Sequence, residues 1–191
     1  MNDNPIKIIQ YYFEKSKLIG LRYHNVAVIS TCSKNKPNSR CVLIKEINEK
    51  GLVFYTNYNS KKGQEIQKNP FVSLVFFWEK LRTQIRVRGI AEKIPEEESI
   101  KYFKSRPKES QISAYISKQS KKLESYRKLE ELFDLYLEKF KNKDVDKPPN
   151  WGGFIIKPQE IEIWKEKPFR LHKRVLFYKK KEKWYKCFLY P

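Results

Sequence analysis

The sequence holds few of the residues that build disulfide frameworks and metal sites. Its 191 residues include three cysteines, Cys32, Cys41 and Cys187, and two histidines, His24 and His172. Three widely spaced cysteines without a CxxC pair predict neither a disulfide framework nor a zinc site. Two histidines are too few for a histidine-based metal cluster. We therefore expect reduced cysteines and no bound metal.

Long apolar runs are also missing. No segment approaches the roughly 20 apolar residues of a membrane span. Lys7, Glu14 and Lys17 interrupt the apolar residues near the N-terminus, which argues against a signal peptide. We expect a cytoplasmic protein that does not enter a membrane. A hydrophobic content of 40% excludes a disordered chain, and the length suits a single domain, residues 1–191, with a buried core.

Acidic residues are scarce beside basic ones. The chain has 41 lysines and arginines against 22 aspartates and glutamates, a formal net charge of +19. Such a surface attracts polyanions, so nucleic-acid binding is one interpretation. Much of the excess, however, is scattered lysine, and Phe54, Phe76, Phe77 and Trp78 fall within predicted strand cores rather than on an exposed stacking platform. We expect no specific nucleic-acid partner, and a surface that favours small phosphorylated ligands.

Turn residues divide the chain into short strands with helices between them. Apolar periodicity and capping signals predict helices at residues 5–17, 61–68, 95–105, 111–118 and 122–141, the last being the longest. Alternating or β-rich runs predict strands at residues 26–31, 39–47, 52–56, 71–78, 81–94, 153–157, 161–164, 174–178 and 184–189. Many short strands, without a GxGxxG or Walker sequence, favour an α+β fold built on an antiparallel β-barrel with appended helices.

The stretch EIEIWKEKPFRLHKR, residues 160–174, has the composition of a binding site. It begins as an alternating strand and turns at Pro168. If the segment is extended, Arg170, His172 and Arg174 share one face. Two guanidinium groups beside an imidazole suit a planar anionic ligand, because arginine binds phosphate or carboxylate through two hydrogen bonds and also stacks on rings. The simpler interpretation is a solvated basic edge strand.

A first group of polar residues elsewhere would suit a phosphate. Arg40 and Lys45 lie on one predicted strand, and Tyr55 and Thr56 lie on the next. Residues 60–62, a serine and two lysines, begin a helix and therefore add free backbone donors. The simpler interpretation is an ordinary hairpin with basic ends.

A second group would suit another phosphate. Tyr102 and Arg106 are four residues apart on one predicted helix and so share a face, and Ser110 follows the break at Pro107. Each charged hydrogen bond to a phosphate contributes about 1.5–3 kcal/mol. Taken singly, these are surface residues at a helix end.

Together these stretches resemble one known family. The runs RCVLIK (40–45), GLVFYTN (51–57), YFKSRPKESQI (102–112), SKQS (117–120), WGGF (151–154) and RLHKR (170–174) are similar, in this order, to the pyridoxine (pyridoxamine) 5'-phosphate oxidases. The similarity spans nearly the whole chain. It implies an FMN-binding split barrel that forms a homodimer, with the flavin held between the subunits.

The resemblance also implies roles for individual residues. Those expected to line the FMN site are Arg40, Cys41, Val42, Leu43, Ile44, Lys45, Tyr55, Thr56, Lys61, Lys62, Gln84, Gln119, Ser120, Trp164 and Arg174. Those expected to bind the substrate are Lys45, Tyr102, Arg106, Ser110, Arg170, Leu171 and His172, with Arg170 and His172 as the catalytic residues over the pyridine ring. The implied reaction oxidises pyridoxamine or pyridoxine 5'-phosphate to pyridoxal 5'-phosphate and reduces dioxygen to hydrogen peroxide.

Three departures from the family pattern bear on the site. Lys61 stands where the family usually has arginine, so one bidentate phosphate contact becomes a point charge. Lys173 replaces an acid beside Arg174, which predicts a less well oriented guanidinium. Phe188 stands where an arginine is usual. These departures leave open a split-barrel flavoprotein with a different substrate, and the charge leaves open a non-catalytic nucleic-acid-binding protein.

Overall fold

A single antiparallel sheet of eight strands dominates the computed structural model, which describes residues 4–191. The strands are β1 (Val26–Ser33), β2 (Lys36–Asn48), β3 (Gly51–Asn57), β4 (Phe71–Trp78), β5 (Thr83–Lys93), β6 (Trp151–Lys165), β7 (Lys173–Lys180) and β8 (Lys183–Leu189). They are ordered β3-β2-β1-β4-β5-β6-β7-β8, and β3 also pairs with β6, which closes the first six strands into a barrel. The predicted antiparallel barrel is confirmed.

Five helices accompany the sheet within the described residues. They are α1 (Pro5–Leu18), α2 (Lys61–Lys68), α3 (Glu96–Lys104), α4 (Lys108–Ile116) and α5 (Tyr126–Lys139). The side chains of Asn4, Ser60 and Ser125 cap α1, α2 and α5 by accepting a hydrogen bond from an amide of the first turn. The first three residues of the predicted single domain lie outside the described residues, and the domain assignment stays a prediction.

Alternation along the strands fills the barrel with apolar side chains. Phe54, Phe76 and Phe154 have at most 1% of their surface exposed, and the rings of Phe54 and Phe154 stack with centroids 5.7 Å apart. Helix α1 adds Ile6 and Ile9 to the same cluster. The interior is therefore a packed core rather than a ligand cavity.

A second apolar cluster lies outside the barrel. Phe103 of α3 and Ile112 of α4 are fully buried there against Trp151 at the start of β6. Tyr55 of β3 and residues of α5 pack around them. Helices α3 to α5 thus cover the outer wall where β3 meets β6.

Two hairpins are tighter than the sequence predicts. Lys34 and Asn35 alone connect β1 to β2, and both have positive φ angles, 52° and 58°. Lys181 and Glu182 connect β7 to β8 in the same way. Paired left-handed residues form the turn whose twist matches the flanking strands, so each strand continues to the turn.

Several predicted boundaries are wrong by a few residues. The strand predicted at residues 81–94 begins at Thr83, because Glu79–Leu81 form a 3-10 turn and Arg82 is left-handed with φ 45°. Helices predicted at 95–105 and 111–118 span 96–104 and 108–116. The helix predicted at 122–141 begins only after the Ser125 cap and, with 14 residues, equals α1 in length rather than exceeding it.

The C-terminal strands also differ from the prediction. Residues predicted as two strands, 153–157 and 161–164, form the single long strand β6, with a bulge opposite Arg88 and Gly89. The bulge accommodates Pro158, which cannot donate to a regular ladder. Phe77, predicted within the core, is 62% exposed, because it faces outward between buried Phe76 and Trp78.

The predicted extended run through residues 170–174 is wrong. Pro168–Arg170 form a turn in which Phe169 and Arg170 are left-handed, with φ 57° and 60°, and β7 begins only at Lys173. A turn breaks the period-two alternation of side chains. Arg170, His172 and Arg174 therefore do not share a strand face.

Replacing Phe54 with alanine should lower the free energy of unfolding by about 3–5 kcal/mol, because it removes a fully buried ring. Phe71→Ala is the matched control, since Phe71 lies on β4 with 59% of its surface exposed, and it should cost far less. Denaturant unfolding followed by circular dichroism measures both. Equal losses would contradict this assignment of the core.

Candidate functional site

A cavity of about 530 Å³, here named the cationic pocket, lies outside the barrel between strands β2 and β3 and helices α3 and α4. Many predicted site residues line it: Cys41, Val42, Leu43, Lys45, Tyr55, Thr56, Lys62, Tyr102, Arg106, Ser110 and Gln119. Residues without a predicted role also line it: Asn57, Pro107, Ser113, Ala114, Ser117 and Trp151. The structure therefore brings residues from both predicted phosphate-binding groups into one cavity.

Strand alternation explains which residues of β2 face this pocket. Ile44 is fully buried in the barrel core, whereas its neighbours Leu43 and Lys45 are exposed on the outer wall. A ligand in the pocket would meet Leu43 and Lys45 through their side chains. It would meet Ile44 only through its backbone.

Stacked aromatic rings form one wall of the cationic pocket. The rings of Tyr55 and Tyr102 lie 3.8 Å apart, centroid to centroid, and Trp151 stacks beside Tyr55 at 5.5 Å. The Arg106 guanidinium carbon lies 4.9 Å from the centre of the Trp151 ring. A flat cation held on an aromatic face is well placed to receive an anion.

Arg106 is the unsatisfied group of this site. Its Nη1 atom is buried and has no hydrogen-bond partner within residues 4–191. Burial lowers the pKa of the Arg106 guanidinium, although nearby Tyr102 opposes the shift. Buried polar atoms are rarely left without a partner, so an orphaned guanidinium nitrogen beside a cavity is suited to binding an anion.

Lys62 supplies a second cation to the pocket. It is 8% exposed, and its Nζ donates to Thr56 Oγ1 at 3.1 Å. Thr56 in turn donates to Gln119 Oε1 at 3.1 Å, which ties β3 to the segment after α4. This chain of hydrogen bonds holds three predicted FMN-site residues together.

Burial and neighbouring charges shift the pKa values of two groups in this site. Burial, and secondly the charge of Arg40, lower the pKa of Lys62 from the ordinary lysine value. Burial, with the charge of Glu46 next, raises the pKa of Tyr55 to about 12. Tyr55 is therefore a neutral hydroxyl at physiological pH, and adds no negative charge to oppose an anion.

Three predicted FMN residues, Arg40, Lys61 and Ser120, do not line the pocket but lie next to lining residues. Arg40 Nη2 donates to Glu65 at 3.1 Å, and Lys61 Nζ lies 3.6 Å from the same carboxylate. Glu65 belongs to α2 and is buried. Ser120, with φ 71°, follows Gln119 at an exposed turn.

A second set of predicted residues lies elsewhere on the barrel wall. Gln84, Trp164 and Arg174 are register partners on β5, β6 and β7, so they form a row across three strands. The ring of His172 packs against that of Trp164 with centroids 4.7 Å apart. Within one chain this row does not line the cationic pocket.

Glu162 orients Arg174 despite the loss of an acid at position 173. Arg174 Nε donates to Glu162 Oε1 at 2.7 Å, and the hydrogen bond raises the pKa of Arg174. Arg86 Nη1 binds the other oxygen of Glu162 at 2.8 Å, and Arg174 Nη1 also donates to the Tyr190 carbonyl at 2.9 Å. The expectation of a poorly oriented Arg174 is wrong, because two acceptors hold it.

The two predicted catalytic residues lie near this row, outside the cationic pocket. Arg170 and Leu171 are exposed in the turn that follows β6. His172 is half-buried, and its Nδ1 accepts a hydrogen bond from the Lys167 amide at 3.2 Å. An imidazole that accepts at Nδ1 carries its proton on Nε2 when neutral, so His172 presents a donor at its outer nitrogen.

Sequence reasoning assigned no role to Trp151, Glu65 or Glu162. Trp151 carries a readable signal, because it opens the WGGF run that resembles the family, and the two glycines after it allow close approach of Tyr58 and Ile94. Glu162 also carries a signal, because it belongs to the C-terminal stretch that resembles the family. Glu65 carries none, since a buried acid and a solvated one look alike in sequence. The partners of both acids come from strands that only the fold brings near.

Two protein-family models match this chain. Residues 18–144 match the family model described as pyridoxamine 5'-phosphate oxidase. Residues 151–191 match the model described as the pyridoxine 5'-phosphate oxidase C-terminal dimerisation region. Together the two matches cover nearly all of the described chain.

Curated relatives agree over most of their length. The pyridoxine/pyridoxamine 5'-phosphate oxidase of Gloeothece citriformis is 40% identical over 185 residues, 96% of this chain and 86% of that protein. The protein of the same name from Bartonella henselae is 44% identical over 174 residues, 91% of this chain and 84% of the relative. Because the matches cover most of both chains, the similarity extends over the whole chain and is not limited to one shared module.

Solved structures share the fold. PhzG from Burkholderia lata, in complex with tetrahydrophenazine-1-carboxylic acid, superposes with a TM-score of 0.94 at 23% identity, covering 100% of this chain and 94% of that one. A pyridoxamine 5'-phosphate oxidase-related, FMN binding protein from Nostoc punctiforme gives a TM-score of 0.76 at 15% identity, covering 98% and 95%. The split-barrel fold is thereby confirmed.

Among the helices of residues 4–191, none has the length and apolar character needed to cross a membrane.

The pKa of Lys62 offers a test of the pocket's electrostatics. Arg40→Gln should raise the Lys62 pKa towards the ordinary value while leaving it lowered, because burial is the larger cause and a neighbouring positive charge the smaller. Heteronuclear NMR titration of the lysine side chains measures the shift, with Lys62→Gln identifying the resonance. Arg127→Gln, on the exposed face of α5, is the control and should leave the value unchanged. A Lys62 pKa that stays constant or falls in Arg40→Gln would contradict the arrangement.

Proposed function

Because the chain belongs to the pyridoxine/pyridoxamine 5'-phosphate oxidase family, we propose that it oxidises pyridoxamine or pyridoxine 5'-phosphate to pyridoxal 5'-phosphate with bound FMN. Dioxygen is the proposed electron acceptor, and hydrogen peroxide is the second product. The observation that carries this proposal is the cationic pocket, in which Lys62 and the orphaned Arg106 offer two anchors for two monophosphates.

The residues present fit FMN. Lys62, with Arg40 and Lys61 beside it, provides the cations that a dianionic phosphate needs, and the start of α2 adds backbone donors. Thr56 and Gln119 supply further polar groups at the pocket wall. The fold neighbour from Nostoc punctiforme, described as FMN binding, supports the same assignment.

The second anchor suits the substrate's phosphate. Arg106 is held flat on Trp151, and Tyr102, Ser110 and Lys45 line the same cavity. An anion reaching Arg106 would satisfy its buried nitrogen and would restore the charge stabilisation that burial removes. Binding here places the rest of the substrate towards the Lys62 end of the pocket, where the flavin is proposed to lie.

A homodimer would complete the site. The row formed by Gln84, Trp164 and Arg174 does not share the cationic pocket within one chain, and the family's C-terminal dimerisation region covers the strands that carry Trp164 and Arg174. Leu43 and Phe77 are large apolar side chains exposed on the outer wall, where a second copy would cover them. We propose that each flavin lies between the pocket of one subunit and the row of its partner.

The chain's own residues would then position the reactants. When bound, FMN supplies the oxidation of the substrate's exocyclic carbon and the reduction of dioxygen. Arg170 would lie over the pyridine ring, and His172 would donate from Nε2 to the hydroxyl or amine group, since the Lys167 amide fixes its other nitrogen. The stacked rings of Tyr55, Tyr102 and Trp151 would form one side of the site, and holding the two reactants close together lowers the entropic part of the barrier.

The alternatives are weaker but remain distinct. A split-barrel flavoprotein with another substrate would keep FMN and fail to oxidise pyridoxamine phosphate. A nucleic-acid-binding protein would need exposed aromatic rings among its cations, yet Phe54, Phe76 and Trp78 are buried and Phe77 alone of that group is exposed. We also propose that the protein acts in the cytoplasm, because the proposed reaction does not require the protein to be secreted.

The proposed activity predicts a yellow protein that releases FMN when denatured. Aerobic incubation with pyridoxamine 5'-phosphate should yield an aldehyde and an equal amount of hydrogen peroxide. Absorbance of the aldehyde and a coupled peroxide assay measure the two products. FMN retention without turnover would reject this substrate, and absence of any flavin binding would reject the enzyme.

Variants should distinguish residues that hold FMN from the predicted catalytic residues Arg170 and His172. Arg170→Ala and His172→Ala are expected to slow turnover about a hundredfold while FMN stays bound, because they act on orientation. Lys62→Ala should instead weaken FMN binding about ten- to a hundredfold, the worth of one charged hydrogen bond. Steady-state kinetics with excess FMN, and flavin fluorescence titration, measure these effects. Arg127→Ala is the matched cation control; loss of flavin in all three site variants, with normal rates on resupply, would overturn the division of roles.

A further inference from the structure

The buried carboxylate of Glu65 lies among the cations at the start of α2, and the proposed reaction gives it no task. Glu65 is 5% exposed. Its Oε2 accepts hydrogen bonds from Thr31 Oγ1 at 2.5 Å and from Arg40 Nη2 at 3.1 Å, and its Oε1 accepts one from Asn38 Nδ2 at 3.4 Å. Lys61 Nζ lies 3.6 Å from Oε1. A single acid thus joins β1, β2 and α2.

These contacts keep Glu65 ionised. Burial opposes its charge, but the hydrogen bonds from Thr31, Asn38 and Arg40, together with the charge of Arg40, lower its pKa below the ordinary value. A buried acid that stays charged needs such partners. The carboxylate is therefore a fixed anion rather than a titrating one near neutral pH.

Arg40 is held from one side only. Its Nη1 donates to Thr31 Oγ1 at 2.6 Å and its Nη2 to Glu65. Thr31 Oγ1 donates to Glu65 and accepts from Arg40, and it also lies 3.4 Å from the Asn38 carbonyl oxygen, so this hydroxyl links the acid to the guanidinium. Within the described chain Arg40 has no other side-chain partner, which leaves further guanidinium donors free for an anion. Its charge reaches Lys62, whose pKa it lowers.

We propose that Glu65, supported by Thr31, is a positioning residue for the cofactor phosphate: it fixes Arg40, and more weakly Lys61, beside Lys62 without touching the ligand. The inference rests on the proposed use of FMN. A guanidinium already fixed in its binding geometry loses less conformational freedom when the phosphate arrives. Lys61 in place of the family's arginine makes the fixed geometry of Arg40 more important in this chain.

Charge and position must be separated to test this role. The charge of Glu65 also repels a phosphate. Removing that charge would therefore raise FMN affinity by removing repulsion and lower it by releasing Arg40. Glu65→Asp keeps the charge but withdraws the carboxylate by one methylene from Arg40 and Thr31. Thr31→Val removes the hydroxyl at constant volume and leaves Glu65 intact, whereas Thr31→Ser keeps the hydroxyl.

The experiment is a fluorescence titration of the full-length protein with FMN and with riboflavin, which lacks the phosphate. Glu65→Asp and Thr31→Val should each raise the Kd for FMN about tenfold, equivalent to about 1.4 kcal/mol, while the Kd for riboflavin changes less than about twofold. Thr31→Ser should bind FMN like the wild type. Glu49→Asp, an exposed acid in the β2–β3 turn, is the matched control and should change neither value.

A double-mutant cycle adds a second, independent criterion. In an Arg40→Gln background, Glu65→Asp should cause almost no further loss of FMN affinity, because the group it positions is gone. A full tenfold loss in that background would overturn the proposal. So would equal losses for FMN and riboflavin, which indicate a general structural defect, or unchanged FMN binding in a folded Glu65→Asp or Thr31→Val protein. Failure of the wild type to bind FMN would instead reject the proposed function itself.

Discussion

The pairing of β3 with β6 is the constraint on which the rest of the structure depends. It joins residues 52–57 to residues 151–156 in one ladder and closes the barrel. The ladder sets Tyr55 opposite Gly153 and Asn57 opposite Trp151, so residues about a hundred positions apart become neighbours on the outer wall. A side chain at Gly152 or Gly153 would collide with Tyr58 or Ile94, which is why this strand begins with two glycines.

Closure also decides where a ligand can bind. Because six strands enclose a core filled by rings such as Phe54 and Phe76, the interior has no room for a heterocycle. Ligands must bind to the outer wall, where α3 and α4 stand away from β2 and β3 and leave the cationic pocket. More of the predicted site residues line this wall than lie on β5 to β7, where Gln84, Trp164 and Arg174 form a separate row.

The sequence predicts the barrel and the pocket's membership well, for physical reasons. Period-two alternation marks the inward residues of β1 to β5. The expected shared helix face of Tyr102 and Arg106 is wrong, because α3 ends at Lys104, although both residues line the pocket. Prediction from the sequence fails where the geometry depends on backbone conformations that the residue types do not indicate. The left-handed Phe169 and Arg170 break the expected strand face, and Arg82 delays β5. Contacts between elements distant in sequence, such as that of Arg40 on β2 with Glu65 on α2, cannot be read from local patterns at all.

Three arginines predicted to belong to the site, Arg40, Arg174 and Arg106, differ in whether a buried acid holds them. Glu65 holds Arg40, and Glu162 holds Arg174, so their positions are set before any ligand binds. Lys173 does not disturb the pairing of Arg174 with Glu162. Its Nζ lies over the Phe188 ring instead, 5.7 Å from the ring centre.

Arg106 is different, because it rests on aromatic rings with one nitrogen buried and unbonded. Its desolvation is not compensated within the described chain, and a phosphate would compensate it. A guanidinium arranged in this way discriminates strongly between ligands with and without a charged tail, since only the former relieves the unpaired group. The contrast supports the proposal that the paired arginines fix geometry and that Arg106 selects a phosphorylated substrate.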